Sequence, residues 1–100
     1  MKDIKTIADF KEAIQSHDES YFFFYSNGCE SCRDIKPQVR LFESKYPQVP
    51  FYNISTYGKK ELVETLKIEW IPFLIHSRNS KVVKIDGADE IKDYLNERPF

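Results

Sequence analysis

Hydrophobic and polar residues along the chain follow patterns that predict helices and strands in a regular order. Five consecutive aromatic residues at 21–25 predict a buried strand. From Cys32 to Tyr46 apolar residues recur at three- and four-residue spacing, which predicts an amphipathic helix. The other predicted elements are three strands, at 51–54, 73–76 and 81–85, and three helices, at about 6–16, within 56–67 and at 88–96. The predicted order is helix, strand, helix, strand, helix, strand, strand, helix.

This order of elements indicates the fold class. Two crossover connections come first, and the turn Arg78-Asn79-Ser80 then joins the last two strands as a hairpin. We therefore expect an α/β protein with a mixed four-stranded sheet and helices on both faces. The length of 100 residues predicts one domain, spanning residues 1–100.

Composition excludes some classes of function. The net charge is −1 and basic residues are not clustered, so nothing favours binding to nucleic acid or to an anionic membrane. No apolar stretch reaches the length of a membrane span, and the residues after Lys5 lack the apolar core of a signal peptide. We expect a cytoplasmic protein, and we expect it to be a monomer.

The two cysteines, Cys29 and Cys32, lie where the aromatic strand gives way to the long helix. In the cytoplasm such a close pair is more often catalytic or metal-binding than structural. A zinc site needs about four ligands, and only His17 and His76 remain as good donors, so the count favours a redox pair. An inert disulfide remains an alternative. We interpret His76 as a partly exposed strand residue rather than a base for Cys29.

Four features of the sequence lie at a characteristic spacing. Cys29-Glu30-Ser31-Cys32 follows a strand, Pro37 stands five residues after the second cysteine, Ile71-Pro72 precedes a strand, and Gly87 precedes the last helix. In these features nearly the whole chain resembles the thioredoxin family. The resemblance implies a thioredoxin fold in which a cis Ile71-Pro72 bond lies against the dithiol and the backbone before the proline pairs with a bound substrate.

The chemistry expected of the pair is thiol–disulfide exchange. Cys29 at the N-terminus of the helix is the predicted nucleophile, and Cys32, one turn later in the buried stripe, is the predicted resolving thiol. Glu30 disfavours a Cys29 thiolate and Arg33 favours it, and Ser31 completes the residues expected to tune the pair.

The resemblance also predicts a substrate groove and partners. Gly28, Trp70, Ile71 and Pro72 are the predicted groove residues. The expected substrates are proteins with disulfide bonds, and the expected electron donor is a reductase of the thioredoxin-reductase type. The redox-active Cys29–Cys32 disulfide is expected to need no further cofactor and no metal.

The sequence departs from the family pattern at several positions. The family usually has Trp where Gly28 stands, Gly-Pro where Glu30-Ser31 stands, a buried Asp where Phe23 stands and Thr where Phe73 stands, and the strand at 51–54 lacks the usual Lys. Trp70 is either a substitute for the missing aromatic surface or an ordinary half-buried loop residue.

These departures leave two alternative functions open. One is a binding or accessory module of thioredoxin fold with weak redox activity. The other is a glutaredoxin-like enzyme that uses glutathione, although Cys-Pro-Tyr-Cys is absent and only Gly87 matches the glycines of that family.

Overall fold

The computed structural model of the chain describes residues 3–97, which contain the eight predicted elements in the predicted order. The predicted domain limits at residues 1 and 100 lie outside the described residues. The helices are α1 (Ile7–Ser16), α2 (Glu30–Lys45), α3 (Lys60–Thr65) and α4 (Ala88–Asn96). The strands are β1 (Glu19–Tyr25), β2 (Phe51–Ser55), β3 (Phe73–Arg78) and β4 (Lys81–Asp86).

The four strands form one mixed sheet in the order β2-β1-β3-β4. Strand β1 is parallel to β2 and antiparallel to β3, which pairs antiparallel with β4. Tyr25 is opposite Ser55, and Phe24 is opposite Phe73. The C-terminal ends of β1 and β2 and the start of β3 therefore lie at the same end of the sheet. We call this end, where the chain leaves β1, the β1 exit edge. This arrangement confirms the predicted fold class.

The aromatic run of β1 supplies both faces of the core. Phe22 and Phe24 pack under α1 and α3, whereas Tyr21 and Phe23 pack under α2 and α4. Successive side chains of a strand point to opposite faces, so a central strand covered on both sides is apolar throughout. Burial of each such side chain contributes about 1.5–3 kcal/mol. The continuous aromatic run is thus explained by helices on both faces, as predicted.

Helix α1 begins as its sequence predicts. The Thr6 hydroxyl accepts a hydrogen bond from the Asp9 N–H, and the Asp9 carboxylate accepts one from the Thr6 N–H. This reciprocal capping box satisfies two backbone donors at the start of the helix. Among the described residues, no helix is long and apolar enough to cross a membrane.

Helix α3 lies inside the stretch 56–67 that is predicted to contain it. The residues before Lys60 form a turn in which the Lys59 N–H donates to the Thr56 carbonyl and Gly58 has a φ of 72°. At the other end Lys67 has a φ of 58°, and a left-handed residue ends a helix. Helix α2, in contrast, continues through Pro37 to Lys45.

Candidate functional site

The two cysteines lie at the first turn of α2, beside the β1 exit edge. Cys29 is the N-cap residue of α2, and its Sγ accepts a hydrogen bond from the Cys32 N–H at 3.1 Å. The Cys29 N–H donates to the Ser26 carbonyl at 3.2 Å, which holds the loop between β1 and α2. A cysteine sulfur therefore occupies the position that a Ser or Asp oxygen takes at other helix starts.

Cys29 and Cys32 are joined by a disulfide with their Cα atoms 5.2 Å apart. Cys32 is buried, with 2% of its surface exposed, and Cys29 is partly exposed. The Ser31 Oγ lies 3.5 Å from the Cys29 Sγ. Cys29 is thus partly accessible to an incoming molecule, and Cys32 is covered by the protein.

The Ile71-Pro72 segment lies against this disulfide. The peptide bond between these two residues is cis, and the Ile71 carbonyl oxygen is 3.8 Å from the Cys29 Sγ. Pro72 is buried, and its carbonyl accepts the Gly87 N–H at 3.1 Å. The structure therefore brings together residues that are 42 positions apart in the chain.

Two charged side chains flank Cys29. Glu30 is exposed in the first turn of α2, where a carboxylate interacts favourably with the helix dipole. Arg33 is exposed, and its Nη1 donates to the Asn27 carbonyl at 2.9 Å. Arg33 therefore fastens the loop that carries Gly28 and Cys29, a contact that the sequence pattern did not indicate.

The predicted groove residues differ in exposure. Gly28 is exposed, and a Cβ built on it meets no atom within 4 Å. Trp70 is 68% exposed, so its interpretation as an ordinary half-buried loop residue is wrong. Tyr57, two residues beyond the end of β2, is 90% exposed at the same edge, and sequence analysis missed it because turn residues show no periodicity. The β1 exit edge thus presents aromatic rings to solvent.

Phe23 occupies the position at which the family pattern expects a buried Asp. It is 1% exposed and packs in the apolar cluster between the sheet, α2 and α4. The core here holds an aromatic ring and supplies no carboxylate at this position.

His76 is not a partly exposed residue, and that prediction is wrong. It is 3% exposed; its Nε2 lies 2.7 Å from the Glu19 Oε2, and its Nδ1 lies 2.6 Å from the Tyr94 Oη. Alternation along β3 places it on the face covered by α4, and two polar partners make its burial tolerable. In the register His76 is opposite Tyr21, toward the start of β1 and away from the Cys29 end.

The second histidine lies elsewhere. His17 is exposed after α1, with its Nε2 3.4 Å from the Tyr52 Oη. Within residues 3–97, no group of three or more His, Cys, Asp or Glu side chains is placed to hold a metal ion.

Comparisons with known proteins agree on one family. The Thioredoxin family model matches residues 2–97. A thioredoxin H-type of Fagopyrum esculentum is 30% identical over 88 residues, which are 83% of this chain and 76% of that protein. Thioredoxin-2 of Pyricularia oryzae is 25% identical over 85 residues, 84% of this chain, and the chain spans only half the length of that relative.

Solved structures show the same fold. The oxidised form of mitochondrial thioredoxin 3 from Saccharomyces cerevisiae superimposes with a TM-score of 0.83, covering 97% of this chain and 94% of that one at 17% sequence identity.

Proposed function

Because the chain belongs to the thioredoxin family, we propose that it is a thiol–disulfide oxidoreductase that reduces disulfide bonds in other proteins. The observation that carries this proposal is the Cys29–Cys32 disulfide at the start of α2, in which Cys29 is partly exposed and Cys32 is buried. An attacking thiol has to meet its substrate, whereas a resolving thiol has to meet only its neighbour. The unequal exposure of the two cysteines suits these two roles.

The first step needs the reduced form of the pair. The Cys29 thiolate attacks one sulfur of the substrate disulfide, an S–S bond forms between Cys29 and the substrate, and the other substrate sulfur leaves as a thiolate that takes up a proton. The Cys32 N–H, aimed at the Cys29 Sγ, and the N-terminal end of the α2 dipole favour the thiolate over the thiol.

The second step closes the disulfide described above. The Cys32 sulfur loses its proton and attacks the Cys29 Sγ, and the remaining substrate sulfur leaves as a thiol. The substrate has then gained two electrons and two protons, whereas the protein has lost two electrons and the Cys32 proton, and the solvent has supplied the other proton. Since Phe23 supplies no carboxylate, we propose that water or Glu30 accepts the Cys32 proton.

The surface around Cys29 is the proposed site for a protein substrate. The backbone of Ile71 lies at the sulfur and is suited to pair with an extended segment of the substrate, with Pro72 beneath it and the exposed Gly28 and Trp70 at the rim. We propose that a reductase of the thioredoxin-reductase type returns the two electrons, that no further cofactor takes part, and that the protein works as a monomer in a reducing compartment such as the cytoplasm.

Reduction of insulin disulfides by dithiothreitol tests the proposal. The wild-type protein is expected to accelerate precipitation of the insulin B chain, and Cys29→Ser is expected to abolish the acceleration. Cys32→Ser should instead accumulate a mixed disulfide with the substrate, visible by mass spectrometry. Equal rates with the wild type and with Cys29→Ser would overturn the proposal.

The same assay addresses the two alternative functions. An accessory module is favoured by Phe23 and Gly28, and it would bind reduced or oxidised insulin without accelerating its reduction. A glutaredoxin-like enzyme would work with glutathione as the only reductant. We expect neither result.

A further inference from the structure

A second polar cluster lies far along the sheet from the cysteines. It joins β1, β3 and α4 through Glu19, His76 and Tyr94, with His76 at the centre. The His76 ring stacks on Tyr21, with ring centroids 4.1 Å apart and an angle of 4° between the planes. The imidazole is thus fixed by two short hydrogen bonds and by a flat aromatic contact, and it has no part in the disulfide chemistry above.

Tyr94 connects this buried cluster to a surface cavity. The cavity has a volume of about 380 Å³ and is lined by side chains of β3, the following turn, β4 and α4, namely His76, Arg78, Asn79, Lys81, Val83 and Tyr94. Its walls combine the Val83 side chain and the Tyr94 ring with two cationic groups. Pockets of this size accept small molecules, and convergent polar groups on apolar walls set which ones. We call it the Tyr94 pocket.

We propose that the Tyr94 pocket binds a small organic anion, an apolar body that carries one acidic group. Lys81 attracts the acidic group, Tyr94 donates a hydrogen bond to it, and Val83 contacts the apolar body. Arg78 adds positive potential at the rim. This binding is independent of the proposed redox function, because the pocket lies toward the opposite end of β3 from Pro72.

The hydroxyl of Tyr94 remains protonated at neutral pH and so brings no negative charge to the pocket. Burial raises the pKa of the Tyr94 phenol above its usual value, the Glu19 carboxylate raises this pKa further, and Arg78 lowers it in part. A neutral phenol at the mouth of the pocket gives an anion a hydrogen bond without adding a negative charge.

The protonation of His76 decides which way that hydroxyl points. A neutral imidazole that donates from Nε2 to Glu19 has an Nδ1 lone pair, and that lone pair accepts the Tyr94 proton. When a proton is added to Nδ1, the imidazolium donates to the Tyr94 Oη instead, and the Tyr94 proton turns toward the pocket. The facing groups are Glu19 and Tyr21 on β1, Arg78 on β3, Lys81 on β4 and Tyr94 itself. The anion therefore binds to the form with protonated His76, and affinity rises as pH falls.

Calorimetric titration of the full chain with benzoate tests the proposal, with benzyl alcohol and inorganic phosphate as comparison probes. We expect benzoate to bind more tightly than either, because one probe lacks the charge and the other lacks the apolar body. Benzyl alcohol or phosphate binding as tightly as benzoate would overturn the proposal, and so would a failure of benzoate to bind.

Variants locate the site. Tyr94→Phe is expected to weaken benzoate binding by about tenfold or more, the effect of a lost hydrogen bond to a charged group. Lys81→Ala is expected to weaken it by about threefold. Lys84→Ala is the matched control, since the Lys84 Nζ donates to the Leu66 carbonyl on the other face of the sheet. An equal effect of Lys81→Ala and Lys84→Ala would place the binding elsewhere.

The pH dependence of benzoate binding tests the coupling between the protonation of His76 and the direction of the Tyr94 hydroxyl, which we call the relay. We expect benzoate to bind more tightly at about pH 6 than at about pH 8, with a limit of about tenfold per pH unit for one proton taken up. Tyr94→Phe should remove this dependence, because its side chain has no hydroxyl to redirect. A wild-type affinity that is the same at both pH values would overturn the relay.

Discussion

The Cys29 sulfur lies between groups that act in opposite directions on its charge. The N–H of Cys32 points at it from 3.1 Å, and the end of the α2 dipole adds to this stabilisation. Glu30 is the next residue in the chain, and its carboxylate repels a neighbouring thiolate. The guanidinium of Arg33 is held at the Asn27 carbonyl. Removing one of these charges should therefore shift the pKa of Cys29 in a predictable direction.

We expect Glu30→Gln to lower the pKa of the Cys29 thiol in the reduced protein, because the substitution removes a like charge and leaves the helix start intact. The ultraviolet absorbance of the thiolate, followed during a pH titration, measures this pKa. Glu64→Gln makes the same chemical change on the exposed surface of α3 and should leave the titration unchanged. A Glu30→Gln curve that coincides with the wild type would contradict the prediction.

Gly28 leaves room beside the disulfide for a side chain. A Cβ at this position meets no atom within 4 Å. We expect Gly28→Trp to fold normally and to increase the rate of insulin reduction by about threefold, since an aromatic ring next to Cys29 adds contact with the substrate. Gly28→Ala adds only a methyl group and is expected to keep the wild-type rate. A slower Gly28→Trp enzyme would show that the open space itself serves the substrate.

At the level of single elements, β1 supplies side chains to both apolar clusters of the core. It also carries Phe23, so the site lacks a buried acid at this position. Its alternate side chains serve two separate apolar clusters, and Phe23 lies in the one that underlies α2 and α4. The family pattern has an acid there, but the surroundings in this protein are aromatic and aliphatic. A carboxyl group placed at this position would have to be protonated, or it would be a buried charge without a cationic partner in this cluster.

We expect Phe23→Asp to reduce the free energy of unfolding by more than about 3 kcal/mol, because it removes a buried ring and buries a polar group in an apolar cluster. Urea unfolding followed by circular dichroism gives this value. Phe23→Leu keeps the site apolar and should cost about 1 kcal/mol. A Phe23→Asp protein as stable as Phe23→Leu would indicate that a carboxylate is accommodated at this position.

The elements that sequence predicted well are those with strong periodicity. The apolar stripe from Cys32 to Phe42 predicted α2, and the five consecutive aromatic residues predicted β1. Helix α3 was placed only within the stretch 56–67, since its ends depend on the backbone conformations of Gly58 and Lys67, which leave no hydrophobic pattern. Local patterns therefore predict an element better than they predict its ends.

At the level of the whole molecule, two groups of chemically active residues lie at opposite ends of the central strands of the sheet. The disulfide and Ile71 lie at the β1 exit edge, whereas His76 pairs with Glu19 at the start of β1. The first group was predictable because cysteines three apart and a proline before a strand match the family pattern, and the resemblance implies that they lie together. The second was not, since the Glu19–His76 contact joins residues 57 positions apart and depends on strand register. Tyr94 joins the same cluster from α4, a contact that no spacing along the chain encodes.

Two partly buried tyrosines make the stability of the folded protein depend on pH in the alkaline range. Desolvation by burial raises the pKa of Tyr52, and burial together with the Glu19 carboxylate raises the pKa of Tyr94. The folded protein then holds these phenolic protons more tightly than the unfolded chain does. The resulting stabilisation is complete below the unfolded pKa of about 10 and is lost as pH rises through the higher folded values.

We therefore expect the urea midpoint of the wild type to fall steeply between about pH 9 and about pH 11. Tyr94→Phe and Tyr52→Phe should each make this fall shallower, because a phenylalanine has no proton to lose on unfolding. Tyr57→Phe is the matched control, since Tyr57 is 90% exposed and its ring is not buried on folding. If all three variants showed the wild-type slope, the alkaline loss of stability would have to come from groups other than these two phenols.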